Sequence, residues 1–111
     1  MKPVDCKQQR YVVQKSVTAA LDFAAVMAQF SRLFASYEED YPGFSKRALL
    51  AAEKAYAWAE KHPGAYYNQN LLNQKYQPAI ATGEYGDTHA DDEFFWAANE
   101  LYFSTGKEIY R

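Results

Sequence analysis

The sequence predicts an all-α chain of about three helices, with a long loop before the third. Three observations carry this. A nearly unbroken apolar run, VTAALDFAAVMAQFSRLF, follows Ser16. Charged doublets recur seven residues apart between Ser45 and Pro63. An aromatic stripe at helical spacing runs from about Ala90 to Thr105 and stops at Gly106.

Residues 1–15 are polar and irregular. Ser16 is the natural N-cap of the first helix. Phe23, Met27, Phe30 and Phe34 form one stripe on it, and Val17, Leu21, Ala24 and Ala28 another. A helix apolar nearly all round is expected to be buried on most sides, and its small residues let neighbours approach closely. Asp22 and Gln29 share its one polar line. A carboxylate buried there needs donors, expected from neighbouring backbone or an Arg.

The connection EEDYPGF carries a Pro-Gly turn signal, and Ser45 reads as the cap of a second helix that ends before Pro63-Gly64. Lys46-Arg47, Glu53-Lys54 and Glu60-Lys61 fall in one sector with Leu50 and Ala57. Ala48, Ala52, Ala55, Tyr56 and Ala59 lie away from it. This helix is therefore an outer element with one solvated face, and the first is an inner one. Residues 63–89 show no sustained period and are broken by Pro63, Gly64, Pro78, Gly83 and Gly86. An ordered loop of that length tends to be functional. On the third helix the apolar stripe is Phe94, Ala97, Ala98 and Leu101. Phe94, Ala97 and Leu101 are expected to face a helix contact together with Leu21, Ala24 and Ala28.

The 111 residues suit one domain or a piece of one. A net charge of −2 gives no electrostatic case for a nucleic acid or an anionic membrane as partner. Cys6 is the lone cysteine, which excludes an internal disulfide and a cysteine-based zinc site. No stretch reads as apolar enough to span a bilayer. MKPVDCKQQR has no apolar core, so no signal peptide is expected in it. Aromatics are 17%, and tyrosine is the commonest of them with ten.

Chemistry concentrates near the C-terminus. Asp87, Asp91, Asp92 and Glu93 stand directly before Phe94-Phe95-Trp96. Thr88 and Asp91 have the spacing of a capping box, and acids suit the positive end of a helix. The same oxygens suit calcium, although the DxDxDG loop of an EF-hand is absent. Tyr66, Tyr67, Tyr76 and Tyr85 either pack the long loop or offer flat faces to sugar rings. His62 and His89 are far apart and read as surface residues. No Ser/His/Asp triad, phosphate loop or Cys–His pair is recognisable.

Two stretches resemble the family nine glycoside hydrolases, the inverting cellulases and endoglucanases. They are RYVVQKSVTAALDFAAVMAQFSRLF, from Arg10, and TGEYGDTHADDEFFWAANELYFSTGKEIY, from Thr82, with LLAAEKAYAWAEKHPG between them where the family has an alanine-rich outer helix. The resemblance implies an (α/α)6 toroid, of which residues 1–111 are a partial catalytic domain. It implies acid/base hydrolysis of β-1,4-glucans by an Asp and a Glu with room for water between them. The family places both carboxylates in motifs absent here, so no catalytic residue is assigned. Asn99-Glu100 sits mid-helix in another motif and takes no such role. A structural calcium is implied at Asp92, Glu93 and the carbonyls of Thr88 and His89. That site is incomplete, because a further Asp ligand would lie beyond Arg111.

In the family the preceding loop borders the glucan cleft, which makes Tyr85 and Asp87 the substrate-binding candidates. Asp87 stands where some relatives have a tryptophan. Implied partners are a β-glucan polysaccharide or oligosaccharide, in a parent enzyme that is secreted or periplasmic, with self-association through exposed helix faces. The alternative is a helical interaction module, since AEKAYAWAEKHPG has the look of a tetratricopeptide helix. A loop of over twenty residues breaks the 34-residue period that such repeats need.

Overall fold

The computed structural model describes residues 3–84 and 86–111. Its helices are α1 (Val17–Leu33), α2 (Phe44–Lys61), α3 (Gln69–Lys75) and α4 (Asp91–Thr105), and the described residues include no strand. Short 3-10 turns occupy Pro3–Asp5, Phe34–Tyr37 and Glu108–Tyr110.

Helix α1 starts where expected: the Ser16 hydroxyl accepts from the Ala19 N–H at 3.4 Å, which satisfies one of the amides that a helix start leaves unpaired. Helix α2 starts earlier than its sequence suggests. Gly43, not Ser45, is the cap, at φ +70°. A left-handed backbone strains any residue with a Cβ, and a Cβ here would also stand 3.0 Å from the Arg47 guanidinium. Ser45 is released to donate to the Ser31 carbonyl at 2.5 Å, which ties α2 back to the end of α1. Between them the turn is filled by rings: Phe34 lies 5.0 Å from Phe44 and 5.5 Å from Tyr41, centroid to centroid.

The loop is less irregular than it reads. Helix α3 occupies only seven residues, about two turns. That is too short for a 3.6-residue period to show, which is why QNLLNQK passes for loop in the sequence. Its cap is Asn68, whose side chain accepts from the Leu71 N–H at 3.0 Å.

Helix α1 lies between α2 and α4. The seam is made mostly of alanines: Ala24, Ala25, Ala28, Ala52, Ala59 and Ala97 are all wholly buried. Val17, Leu21 and Leu101 are the largest side chains fully enclosed. Small residues let helix axes come close, so backbone dispersion contacts replace the bulk of larger side chains. The expected contact set holds. Leu21, Ala24, Ala28, Ala97 and Leu101 are buried, and Phe94 packs against this cluster from its edge, its ring at 86° to that of Tyr56. On α2, Leu50 is exposed with the charged sector, and Ala48, Ala52, Tyr56 and Ala59 face inward.

Two expectations for α1 need correction. It is buried along one side, not on most sides. Phe23, Phe30 and Leu33, on the opposite side, are exposed. And the run Val17–Tyr37, with its 21 residues, is long and apolar enough to cross a membrane by length and composition. Only Asp22 and Arg32 put charge into it. A core helix passes the same test, and the packing of α2 and α4 along α1 accounts for its composition.

The end of α1 is clamped to α4 by polar groups. Arg32 donates to the Glu100 carbonyl at 2.9 Å and to the Ser104 hydroxyl at 2.7 Å, and pairs with the Glu100 carboxylate. Ser104 in turn donates to the Ala28 carbonyl at 2.8 Å. The result is a slab two helix layers deep, 44 × 37 × 18 Å in extent.

Candidate functional site

The long loop is held by side-chain amides. Asn73 and the backbone of Ile80 bond reciprocally, at 2.7 Å and 3.0 Å. Gln69 donates through its side chain to the Thr82 carbonyl at 2.8 Å and through its backbone N–H to Glu84 at 3.0 Å. Helix α3 is thus a short brace that lays residues 80–84 along it. The chain then returns past the start of α1 to enter α4.

At that return a groove of about 400 Å³ opens. Ser16, Thr18 and Asp22 of the α1 end form one wall, Tyr67 and Asp87 of the loop another, and Glu93 of α4 contributes from its first turn. Among the described residues, no Lys or Arg lines it. Asp22 does not find the donors expected of it: it is exposed, and Arg32 is committed to Glu100. Its carboxyl is raised above the ordinary range, first by partial burial and then by the negative charges of Asp87 and Asp92. The Glu93 carboxyl is raised as well. Burial is the main cause, a backbone N–H bond opposes it, and the Asp92 carboxyl and the charge of Asp87 add to it. One oxygen of Glu93, Oε2, is buried with no hydrogen-bond partner among the described residues. A buried acceptor left open is costly, so this is where the groove is least at ease.

The other predicted site residues fall as follows. Asp87 lines the groove. Asp92 is exposed in the first turn of α4, beside Asp91 and Glu93. Thr88 and His89 are exposed and paired with each other, Oγ1 to Nδ1, at 3.0 Å. The capping box therefore does not form: Ala90 is the cap residue of α4, with no side-chain hydrogen bond. The three acids of the first turn still face the positive end of the helix. Tyr85 lies outside the described residues. Of the rest, His62 stacks on Trp58 at 4.6 Å, on the surface as expected. Glu100 is held by Arg32.

As a cation site, the arrangement offers the right chemistry, hard oxygens with one of them unpartnered. Among the described residues, however, no three His, Cys, Asp or Glu side chains come together as a metal cluster. The carboxylates of Asp92 and Glu93 would have to be completed by carbonyls and water. Sequence reasoning missed the nearness of Asp22 to the acids around residue 90. Its signal was one carboxylate on an otherwise apolar face, and only the return of the chain to the start of α1 shows what it meets.

The helices alternate inner and outer, with an acid-lined groove where the inner helices begin, an arrangement consistent with part of an (α/α)6 toroid. The whole chain, residues 1–111, matches the model of glycosyl hydrolase family 9, and it belongs to that family. It is 96% identical over 111 residues to a xyloglucan-specific endo-beta-1,4-glucanase, BoGH9A, of Bacteroides ovatus, covering all of this chain and 19% of that protein. It is 40% identical over 114 residues to a cellulose 1,4-beta-cellobiosidase of Acetivibrio thermocellus, covering all of this chain and 12% of that protein. Endoglucanase C of Cellulomonas fimi is 35% identical over 108 residues, 97% of this chain and 9% of that protein. Among solved structures, a Bacteroides ovatus GH9 protein superposes with a TM-score of 0.92 at 97% identity, covering 99% of this chain and 20% of that one. The chain thus spans about a fifth or less of the length of these relatives. Family membership displaces the tetratricopeptide reading.

Proposed function

We propose that this chain is part of the catalytic module of an inverting endo-β-1,4-glucanase that acts on xyloglucan. The observation that carries the reading is the 96% identity, along the entire chain, to a protein named for that specificity. In such a module one Asp activates water while a Glu protonates the leaving oxygen. Neither role falls to this chain. Its part is a stretch of cleft wall: the groove at the start of α1 and α4, lined by Asp87; Tyr85, the other substrate-binding candidate, lies outside the described residues. Asp22 supports that use of the groove, because an exposed carboxylate can accept from sugar hydroxyls.

A calcium ion held by Asp92, Glu93 and the carbonyls of Thr88 and His89 would pin the loop that carries Asp87. Its charge would offset the crowding of carboxylates, and its coordination would engage the open Glu93 oxygen. With two carboxylates in the set, affinity is expected at about the millimolar end of the calcium range. Isothermal titration beside the double variant Asp92→Ala/Glu93→Ala tests this. Equal heats from both proteins would remove the site.

The experiment for the reading as a whole is hydrolysis by the parent enzyme of xyloglucan, carboxymethylcellulose and mixed-linkage glucan, with anomeric configuration followed by NMR. Xyloglucan cleavage with inversion is expected. The 111-residue chain by itself is expected to release no reducing sugar, and turnover above a heat-treated control would mean that a carboxylate pair within it does the chemistry.

A further inference from the structure

A second groove, of about 450 Å³, lies between the extended segment before α1 and the turn that follows α3. Tyr11 and Gln14 form one side of it, Asn73, Tyr76, Gln77 and Ile80 the other. Its chemistry is unlike that of the acid-lined groove. Among the described residues, no charged side chain contributes to its lining. The two tyrosines are 58% and 63% exposed, so large ring areas stand in solvent at its rim. Among the described residues, the phenol groups of Tyr11 and Tyr76 and the side-chain amides of Gln14 and Gln77 have no protein hydrogen-bond partner. The wall behind them is nonetheless fixed. Asn73 spends both ends of its amide on Ile80, and Gln69 bonds the Ile80 and Thr82 carbonyls. Asn73 lines the groove but is occupied in holding the loop; the polar groups left open there belong to Tyr11, Gln14, Tyr76 and Gln77.

We infer that this groove is an accessory binding site for a neutral glycan segment. Phenols and primary amides both donate and accept, which is what a ring of sugar hydroxyls requires. Exposed tyrosine rings offer flat apolar faces to the C–H side of a pyranose at little entropic expense. The absence of charge disfavours anionic ligands, and the open amides disfavour a purely apolar one, because burying them unpaired is costly. The groove also adjoins the first: Gln14 lies two residues before Ser16, and Ile80 three before Gly83, both of which line the acid-lined groove. One extended chain can therefore pass from one to the other. The choice of a β-1,4-glucan as that chain rests on the functional reading above.

The test is a titration of the isotopically labelled 111-residue chain with cellotetraose and with xyloglucan oligosaccharides, reading the side-chain amide signals of Gln14 and Gln77 by NMR. Saturable shifts with a Kd of about a millimolar are expected. In Tyr11→Ala/Tyr76→Ala binding weakens by about tenfold or more, the loss of aromatic contact. Leu50→Ala, on the outer face of α2, leaves it unchanged. Both tyrosines are exposed, so the double variant should keep its helical circular dichroism. Silent glutamine signals, or shifts of equal size in the folded double variant, overturn the inference. Hydrolysis by the parent enzyme is assayed in parallel to separate the two readings. Xyloglucan cleavage with silent glutamines defeats this groove alone. A parent that cleaves no β-glucan defeats the functional reading, while the glutamine shifts still decide whether a neutral glycan binds here.

Discussion

The seam between α1, α2 and α4 and the groove at the start of α1 and α4 share the same two inner helices, yet they are built on opposite terms. The seam is alanine, leucine and valine, wholly enclosed. At its far end polar groups are paired within the chain: Arg32, Glu100, Ser104 and the Ala28 carbonyl close on one another. The groove gathers Asp22, Asp87 and Glu93, with Asp92 close enough to act on them; among the described residues no basic side chain lines it and a Glu93 oxygen stays unpartnered. One end of the helix pair is satisfied within the chain; at the other, a buried carboxylate oxygen stays open among the described residues. Residues at a binding site are commonly held in such locally unfavourable arrangements, because the ligand removes the penalty.

The contrast can be broken most severely at Leu101. It is fully buried where α4 meets the seam, and Leu101→Ala should destabilise the chain by about 2–5 kcal/mol through lost burial and an unfilled cavity. Urea unfolding followed by circular dichroism measures it, and a loss below about 1 kcal/mol would mean that the helices collapse freely onto the gap. Next in size is Arg32→Ala. The Glu100 carboxylate and carbonyl lose a charged donor in a partly buried setting, and a cost of about 1.5–3 kcal/mol is expected by the same measurement.

The smallest effect has the opposite sign and belongs to the groove. The Asp22 carboxyl is raised in the folded chain above its ordinary 3.8. A raised carboxyl binds more protons folded than unfolded, so stability falls as pH rises from 3.8 through the folded value, and the penalty is fully present above it. Asp22→Asn should therefore raise the melting temperature at pH 7, and the gain should fade as pH is lowered toward 4. Glu93→Gln should do the same, shifted to the slightly higher range of glutamate. A variant less stable than its parent at pH 7 would show that the carboxylate is paired after all.

The sequence announced the seam more fully than the groove, for physical reasons. Burial imposes a period, and Leu21, Ala24 and Ala28 on α1 with Ala97 and Leu101 on α4 carry it openly. Caps were legible when the local chain alone decides them, as at Ser16. They were misread when a tertiary contact intervenes, as at Ser45, whose hydroxyl is taken by Ser31. The acids of residues 87–93 were visible as a cluster, but the approach of Asp22 depends on how the chain returns over some seventy residues, which no local pattern encodes. The family resemblance supplied the toroid and the candidate roles of Asp87, Asp92 and Glu93. It did not disclose that Tyr11 and Tyr76 line one groove, which follows from the placement of a two-turn helix.

The thinness of the slab has a calorimetric consequence. The chain exposes 8450 Å², whereas a compact monomer of its 12.7 kDa exposes about 6200 Å². Its radius of gyration is 16.8 Å, against about 13 Å for a compact domain of this length. Unfolding therefore hydrates less new apolar surface per residue than is usual. The heat-capacity increment should fall below the customary ~12–15 cal/mol/K per residue, and the urea m-value should be correspondingly shallow. With a small increment the stability curve is a broad, low dome, so the chain should lose structure gradually on warming and resist cold denaturation better than a denser protein of equal length.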